Sequence, residues 1–277
     1  MTTMSGSSPT RQAEPRERTS GYAPVSGLRT YYEIHGSGMP AVFLHSAWGH
    51  ASWYPTLTAN RRWICIDAQG HGRTADIDRP LTFEQMADDV AALLRHLQIE
   101  RADLFGESFG GTIALNVAVR HPEVVRRVAT YGSPFGPFQE AFRPDPEALS
   151  IAAGDEAVRF QREQYERVAP DASRWPAIFG KVRSIAWADF SPDALGSIEA
   201  PLLIAFGDHD FLRLEHSVET FRRIPRAQLA VIPDAGHFVL SVEPEKLLPV
   251  VATFLDATLP GLPFATQSSG FRPGTTR

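Results

Sequence analysis

Short apolar runs alternate along the chain with segments whose apolar residues recur every three or four positions. Continuous apolar runs are typical of strands that a parallel sheet buries on both faces. A hairpin precedes them, because residues 28–34 alternate between apolar and polar after a turn at Ser26-Gly27. The predicted strands are the hairpin over 21–35 and the runs 41–44, 62–67, 101–105, 125–131, 201–206 and 228–232.

Amphipathic segments between these runs predict helices. Thr82 and Gln85 form a capping-box pattern, and apolar residues follow them at spacings of three and four. Strands that alternate with helices indicate an α/β fold with a mostly parallel, eight-stranded sheet covered on both faces. Active residues of such a fold lie in loops at the carboxyl ends of the strands. Helices are predicted at 83–97, 109–119, 214–224 and 243–255.

The segment 134–197 interrupts this alternation. It has no strong strand pattern, and it is rich in aromatic residues and prolines. An unstructured loop of this length is uncommon in a compact domain, so we predict a helical cap over the sheet edge, with most rings filling the seam between cap and core. The predicted organisation is a disordered tail at 1–20, a core at 21–133 and 198–260, this cap, and a flexible tail at 261–277.

Composition excludes several classes of protein. The chain has 277 residues, 43% of them hydrophobic, and a net charge of −5, which disfavours nucleic acid and anionic membranes as partners. No apolar run is long enough for a membrane span, and the first 20 residues lack the apolar stretch of a signal peptide. Cys65 is the single cysteine, so no intramolecular disulfide is possible. We expect a cytoplasmic monomer or homodimer that acts on a small molecule.

The sequence Gly106-Glu107-Ser108-Phe109-Gly110 carries the clearest chemical signal. It joins a predicted strand to a predicted helix, and such a turn exposes a serine hydroxyl at its apex in a strained backbone conformation. The residues two before and two after the serine must be small, and both are glycine. We therefore predict that Ser108 is a nucleophile, against the alternative of a glycine-rich turn in which the serine serves as a helix cap.

A nucleophilic serine needs a histidine base and an orienting carboxylate, which follow it on this fold in the order acid, then base. His237 follows the last predicted strand and is the predicted base. Asp208 and Asp210 both follow the strand before it, and spacing alone does not choose between them. Asp234 precedes the base by three residues and is expected to hold the loop together.

An oxyanion hole needs two hydrogen-bond donors. One is expected to be the backbone N–H of Phe109, the residue after the nucleophile. The other is expected from the loop after the strand 41–44, where the donor would be the N–H of Ala47. That loop is also compatible with an ordinary connection between a strand and a helix.

The chain resembles the α/β-hydrolase superfamily over about Tyr22 to Leu259. Besides the serine motif, the resemblance rests on Leu44-His45-Ser46, Asp67-Ala68-Gln69-Gly70-His71-Gly72-Arg73, Gly207-Asp208-His209-Asp210 and Gly236-His237. It implies that Asp210 is the acid, that a cap follows the strand ending near Tyr131, and that Ala47 and Phe109 are the oxyanion donors. The family usually has glycine where Ser46 stands, and a Cβ there is expected to crowd the loop. Serine at 108 argues against relatives that use aspartate to cleave carbon–halogen bonds or epoxides.

The working hypothesis is therefore ester hydrolysis through an acyl-enzyme, without a metal or organic cofactor. Activity is expected to fall below roughly pH 6–7, as the histidine becomes protonated. The same triad also serves carbon–carbon cleavage, amide cleavage, acyl transfer and perhydrolysis, and members of the family act as ligand receptors or as cofactor-free oxygenases. The pocket is expected to be apolar and to include Trp48, Phe135, Trp187 and Phe238.

Overall fold

The computed structural model describes residues 18–53, 60–136, 141–142, 154–186 and 190–257. One sheet contains the strands β1 (Arg18–Val25), β2 (Leu28–His35), β3 (Met39–Leu44), β4 (Arg61–Ile66), β5 (Ala102–Glu107), β6 (Val125–Tyr131), β7 (Leu202–Gly207) and β8 (Ala227–Ile232). Its order is β1-β2-β4-β3-β5-β6-β7-β8. β2 pairs antiparallel with β1 and β4, and all other neighbours are parallel. The mostly parallel eight-stranded sheet that the sequence predicts is confirmed.

Helices follow most of the parallel strands. The side chain of Thr82 accepts a hydrogen bond from the N–H of Gln85 at 3.1 Å, so the predicted cap does begin the first helix. The helices are α1 (Phe83–His96), α2 (Phe109–Arg120), α3 (Asp155–Val168), α4 (Trp175–Arg183), α5 (Pro192–Gly196), α6 (Leu214–Arg223), α7 (Val239–Val242) and α8 (Pro244–Asp256). The sequence pattern did not locate α7, because a single turn is too short to show periodicity.

The central strands separate two apolar layers. In β3 and β5, Val42 and Leu104 point to one face, where they pack with α1 and α2. Their neighbours Phe43 and Phe105 point to the other face, which α8 covers. Successive side chains of a strand alternate between faces, so a strand covered on both sides reads as a continuous apolar run. Cys65 of β4 is buried in the second layer, as a small apolar residue would be.

The first strand begins inside the segment predicted as a disordered tail. Residues 18–20 have exposed side chains but pair with β2, with Arg18 opposite His35. Backbone hydrogen bonds hold an edge strand without apolar side chains, so the hydropathy pattern could not find them. Arg18 also contacts Glu33 at 3.0 Å. The rest of both predicted tails, 1–17 and 261–277, lies outside the described residues.

Helices α3, α4 and α5 all lie between β6 and β7, within the segment predicted as a cap. Lys181 of α4 contacts both carboxylate oxygens of Asp76 at 2.9 Å and donates a hydrogen bond to the carbonyl of Ile77 at 2.8 Å. These contacts attach α4 to the loop that follows β4. The division of the chain into core and cap stays a prediction.

Candidate active site

Ser108 lies between β5 and α2, at the turn that the sequence singled out. Its backbone has φ 52° and ψ −117°, a conformation that residues with a side chain seldom adopt. The turn is tight, because a Cβ at Gly106 would overlap the carbonyl of Gly110, and one at Gly110 would overlap the carbonyl of Leu44. The two glycines therefore let the chain reverse sharply and leave the serine at its apex.

Three side chains that are distant in the sequence meet at this turn. The Oγ of Ser108 lies 3.0 Å from Nε2 of His237. On the other side of the ring, Nδ1 of His237 lies 2.9 Å and 3.1 Å from the two carboxylate oxygens of Asp210. Asp210 is fully buried and His237 is nearly so. The ring of Phe211 covers the imidazole, with centroids 4.0 Å apart, so the pair is also shielded from water on that face.

The two candidate aspartates have different surroundings. Asp210 faces the imidazole and also accepts a hydrogen bond from the N–H of Leu212 at 3.0 Å. Asp208 accepts a hydrogen bond from the N–H of Ala235 at 3.1 Å, which ties the loop after β7 to the loop after β8. Asp234, the residue expected to hold the loop after β8 together, contacts Lys246 of α8 through its backbone carbonyl at 2.6 Å and through its carboxylate at 3.5 Å.

The end of β6 aligns these loops, a role that the sequence pattern did not indicate. The hydroxyl of Tyr131 donates a hydrogen bond to the carbonyl of Gly236 at 2.6 Å, directly before the histidine. The carbonyl of Tyr131 accepts the N–H of Ser108 at 2.8 Å. Gly132 has φ 55°, and a Cβ there would lie 2.9 Å from Asp210 and 3.0 Å from His237. A larger residue at 132 would therefore displace the acid or the base.

The two predicted oxyanion donors follow β5 and β3. Phe109 is the first residue of α2, and the N–H groups of a helix's first turn point toward its N-terminal end. Ala47 lines the same cavity as Ser108. The next residue, Trp48, has φ 67°, and its ring packs on Trp175 of α4 with centroids 4.6 Å apart. The Ala47 loop is therefore held against the helices between β6 and β7.

A largely apolar cavity of about 1760 Å³ opens over the serine. Trp48 and Phe238, two of the predicted pocket residues, line it. Phe135 was also predicted there, but the structure buries its ring and stacks it on His216, whose Nε2 accepts the N–H of Phe135 at 2.8 Å. Trp187, the fourth predicted pocket residue, lies outside the described residues.

Burial and neighbouring charges shift the pKa of two groups near the serine. Burial lowers the pKa of His237, but the charge of Asp210, the hydrogen bond to it and the charge of Glu107 outweigh that effect, so the pKa is raised. Glu107 precedes the serine, and its burial raises the pKa of that carboxyl to about 7. The sequence pattern did not indicate Glu107, because the middle positions of the serine motif accept many residue types.

Within the described ranges, no three or more His, Cys, Asp and Glu side chains are grouped so that they could hold a metal ion. Of the helices described, none combines the length and the apolar character that crossing a membrane requires.

Several known proteins resemble this chain over most of its length. The chain is 30% identical over 264 residues to 2-hydroxymuconate semialdehyde hydrolase of Pseudomonas sp. (strain CF600), covering 83% of this chain and 92% of that protein. It is 30% identical to the putative carbamate hydrolase RutD of Rhizobium rhizogenes (strain K84 / ATCC BAA-868), over 82% of this chain and 98% of the relative. Among solved structures, Est816, described as an N-acyl homoserine lactone degrading enzyme, superposes with a TM-score of 0.68 and 26% identity, covering 83% of this chain and 98% of that one.

A sequence model of the alpha/beta hydrolase family matches residues 34–250, which include every strand from β3 to β8 and all three residues that meet at the turn. The match covers most of the chain, and the relatives above are hydrolases. The chain therefore belongs to the alpha/beta hydrolase family.

Proposed function

We propose that the protein is a serine hydrolase that cleaves a carboxylic ester, or a related acyl bond, of a small and largely apolar molecule through an acyl-enzyme. The observation that carries the proposal is the continuous contact from Ser108 through His237 to Asp210, at 3.0 Å and 2.9 Å. A serine hydroxyl is a poor nucleophile until a base within hydrogen-bond distance accepts its proton. This chain supplies that base and a buried carboxylate behind it.

In the first half of the proposed reaction, the Oγ of Ser108 attacks the ester carbonyl while Nε2 of His237 takes the hydroxyl proton. The N–H groups of Ala47 and Phe109 hold the negative charge that develops on the carbonyl oxygen. The imidazolium then protonates the leaving alcohol, and the carbon–oxygen bond to it breaks. Asp210 keeps the proton of the neutral ring on Nδ1 and stabilises the imidazolium while it exists.

In the second half, a water molecule takes the place of the alcohol. His237 removes a proton from the water as its oxygen attacks the acyl-enzyme, and the same donors hold the second oxyanion. The proton on His237 returns to the Oγ of Ser108 as the acid leaves. Protons and electrons balance over the two halves, and no other group is consumed.

Carbon–carbon hydrolysis is the second candidate, and the 30% identity to 2-hydroxymuconate semialdehyde hydrolase favours it. In carbon–carbon hydrolysis the leaving group is protonated on a carbon rather than on an oxygen. The two reactions therefore require the same nucleophile from Ser108 but a different arrangement of groups in the cavity. Amide cleavage, acyl transfer, perhydrolysis and ligand reception remain alternatives within the same fold. The cytoplasmic location and the monomeric or homodimeric state belong to the proposal as well.

The test is hydrolysis of p-nitrophenyl esters of graded acyl length, with Ser108→Ala as the control. The cavity is apolar, so we expect kcat/KM to rise by roughly threefold to fourfold for each methylene that the cavity buries. Turnover that does not depend on Ser108, or none with any ester, would contradict the proposal. Ligand-dependent thermal stabilisation without turnover would favour a receptor, and release of a carbon-linked product from a diketone would favour carbon–carbon hydrolysis.

The pH dependence of activity follows from the raised pKa of His237. The ring must be neutral to accept the serine proton, so activity is present above its pKa and is lost as the pH falls through it. The pKa lies above the ordinary value of 6.5, so the acidic limb of kcat/KM is expected to have its midpoint above that value. The measurement is kcat/KM from about pH 5 to about pH 9, corrected for spontaneous ester hydrolysis. A midpoint below that of free histidine would contradict the prediction.

A further inference from the structure

One buried carboxyl group beside the reacting atoms has no part in the proposed steps. Glu107 ends β5, and its backbone is held in register with Tyr131 of β6. The residue is only 4% exposed, and it lines the cavity next to Ser108. Among the described residues, no side chain or N–H group donates a hydrogen bond to its carboxyl. Its charge acts instead on His237 and Asp210.

Other buried carboxyl groups of the chain do have partners. Asp67 accepts the N–H groups of Ala51 and Arg73, and Asp103 pairs with Arg61 and Arg126. Such contacts offset the loss of water around a buried charge, and a carboxyl without them is costly to the folded state. Glu107 has no such partner among the described residues. A ligand group that enters the cavity and contacts the carboxyl would explain why a glutamate stands at this position.

The charges around the cavity have mostly one sign. Three exposed carboxyl groups, those of Asp155, Glu156 and Glu245, lie along it with Glu107. Arg183 is the one cationic side chain among the described lining residues, and its guanidinium lies 5.5 Å from the centroid of the Phe179 ring. Carboxylates around a low-dielectric cavity favour cations and repel anions. The cavity is therefore unfavourable for a substrate that carries a carboxylate.

We propose that Glu107 is a substrate-selecting residue, which attracts a positively charged group of the substrate, and that the enzyme discriminates against acyl groups that end in a carboxylate. The inference rests on the proposed function and narrows it. The substrate class is an ester, or related acyl compound, that is apolar over most of its length and carries a positive charge within reach of the nucleophile. Glu107 directly precedes Ser108, so the substrate group that it contacts lies close to the scissile bond.

The test compares three p-nitrophenyl esters whose acyl chains have the same length and end in a tert-butyl, a trimethylammonium or a carboxylate group. The first two differ only in charge. We expect the wild type to favour the ammonium ester over the carboxylate ester by at least about tenfold in kcat/KM, and Glu107→Gln to reduce that ratio by about tenfold. Assays at about pH 8.5 keep the carboxyl ionised, since its pKa is about 7. A ratio between esters cancels any effect of the substitution on His237.

Two variants complete the design. Glu156→Gln removes an exposed carboxylate from the same cavity and is expected to change the ratio by less than about twofold, because water and salt screen it. Glu107→Asp keeps the charge and is expected to retain a preference for the ammonium ester. The inference is overturned if Glu107→Gln leaves the ratio unchanged, or changes it no more than Glu156→Gln does.

Failure of the proposed function would be recognised separately. If no ester shows turnover that depends on Ser108, the function is wrong, and selectivity is then measured as binding. Calorimetry with the three matching p-nitroanilides on Ser108→Ala, and on Ser108→Ala with Glu107→Gln, gives that preference without turnover. A preference for the ammonium compound that Glu107→Gln abolishes supports the inference, and equal affinities for all three compounds overturn it.

Discussion

Ser108→Ala is expected to lower kcat by about 10⁶-fold, the loss seen when the nucleophile of a serine triad is removed. The variant keeps the cavity, the oxyanion donors and the pair formed by His237 and Asp210, so what remains is catalysis by water held in the site. The measurement is single-turnover and steady-state hydrolysis of the best p-nitrophenyl ester, with enzyme in excess to reveal low rates. KM is expected to change far less than kcat.

The matched control is Ser241→Ala, which removes another hydroxyl from the lining of the same cavity. Activity within about threefold of the wild type is expected there, because surface substitutions away from special features have small effects. If Ser108→Ala kept near-native turnover, the hydroxyl would not be the nucleophile, and the contact with His237 would be structural.

A glycine at the same position separates chemistry from folding. Ser108 has φ 52° and ψ −117°, strain of order 1–3 kcal/mol that the surrounding turn must hold in place. Ser108→Gly relieves that strain and loses about 0.5–1 kcal/mol to the greater freedom of the unfolded chain. A net gain of about 1 kcal/mol in the free energy of unfolding is therefore expected relative to Ser108→Ala, with both variants inactive. Urea unfolding measures it, and a Ser108→Gly variant that is less stable than Ser108→Ala by about 0.5–1 kcal/mol would mean that the turn is unstrained.

The sequence pattern located Ser108, His237 and the pair Asp208 and Asp210 because each follows a strand, and parallel strands place their carboxyl ends at one edge. Local pattern suffices for that step, since the strands are continuous apolar runs and glycines mark the turns. The choice of Asp210 over Asp208 came only from the family resemblance. Two residues of the same type in one irregular loop cannot be told apart by periodicity.

The sequence pattern could not show in which direction the chain turns where a strand ends. Phe135 follows β6 closely and was predicted to line the pocket, but Gly132 at φ 55° turns the chain so that the ring stacks on His216. The hydrogen bond from Tyr131 to the carbonyl of Gly236 and the ring of Phe211 over His237 also join segments distant in sequence. Such contacts depend on where loops lead, and hydropathy records only which side chains avoid water.

The two aspartates after β7 offer a sharper comparison than removal of either alone. The two aspartates lie two residues apart in one loop. Each accepts a hydrogen bond from a backbone N–H group, Asp210 from that of Leu212 and Asp208 from that of Ala235. Only Asp210 faces the imidazole, and it is fully buried, whereas the side chain of Asp208 is 41% exposed. Replacing each carboxylate by the amide of the same shape therefore changes charge and hydrogen-bond capacity with little change in packing.

Asp210→Asn is expected to lower kcat by about 10⁴-fold, whereas Asp208→Asn is expected to lower it by less than about threefold. An amide N–H₂ facing Nδ1 favours the ring tautomer with its proton on Nε2, which then cannot accept the proton of Ser108, and it no longer stabilises the imidazolium. At 208 the amide oxygen still accepts the N–H of Ala235, so the loop keeps its position. The measurement is kcat for both variants beside the wild type, with circular dichroism to establish that each is folded. A larger loss for Asp208→Asn would assign the acid to 208 and would mean that the contact of Asp210 with His237 does not serve catalysis.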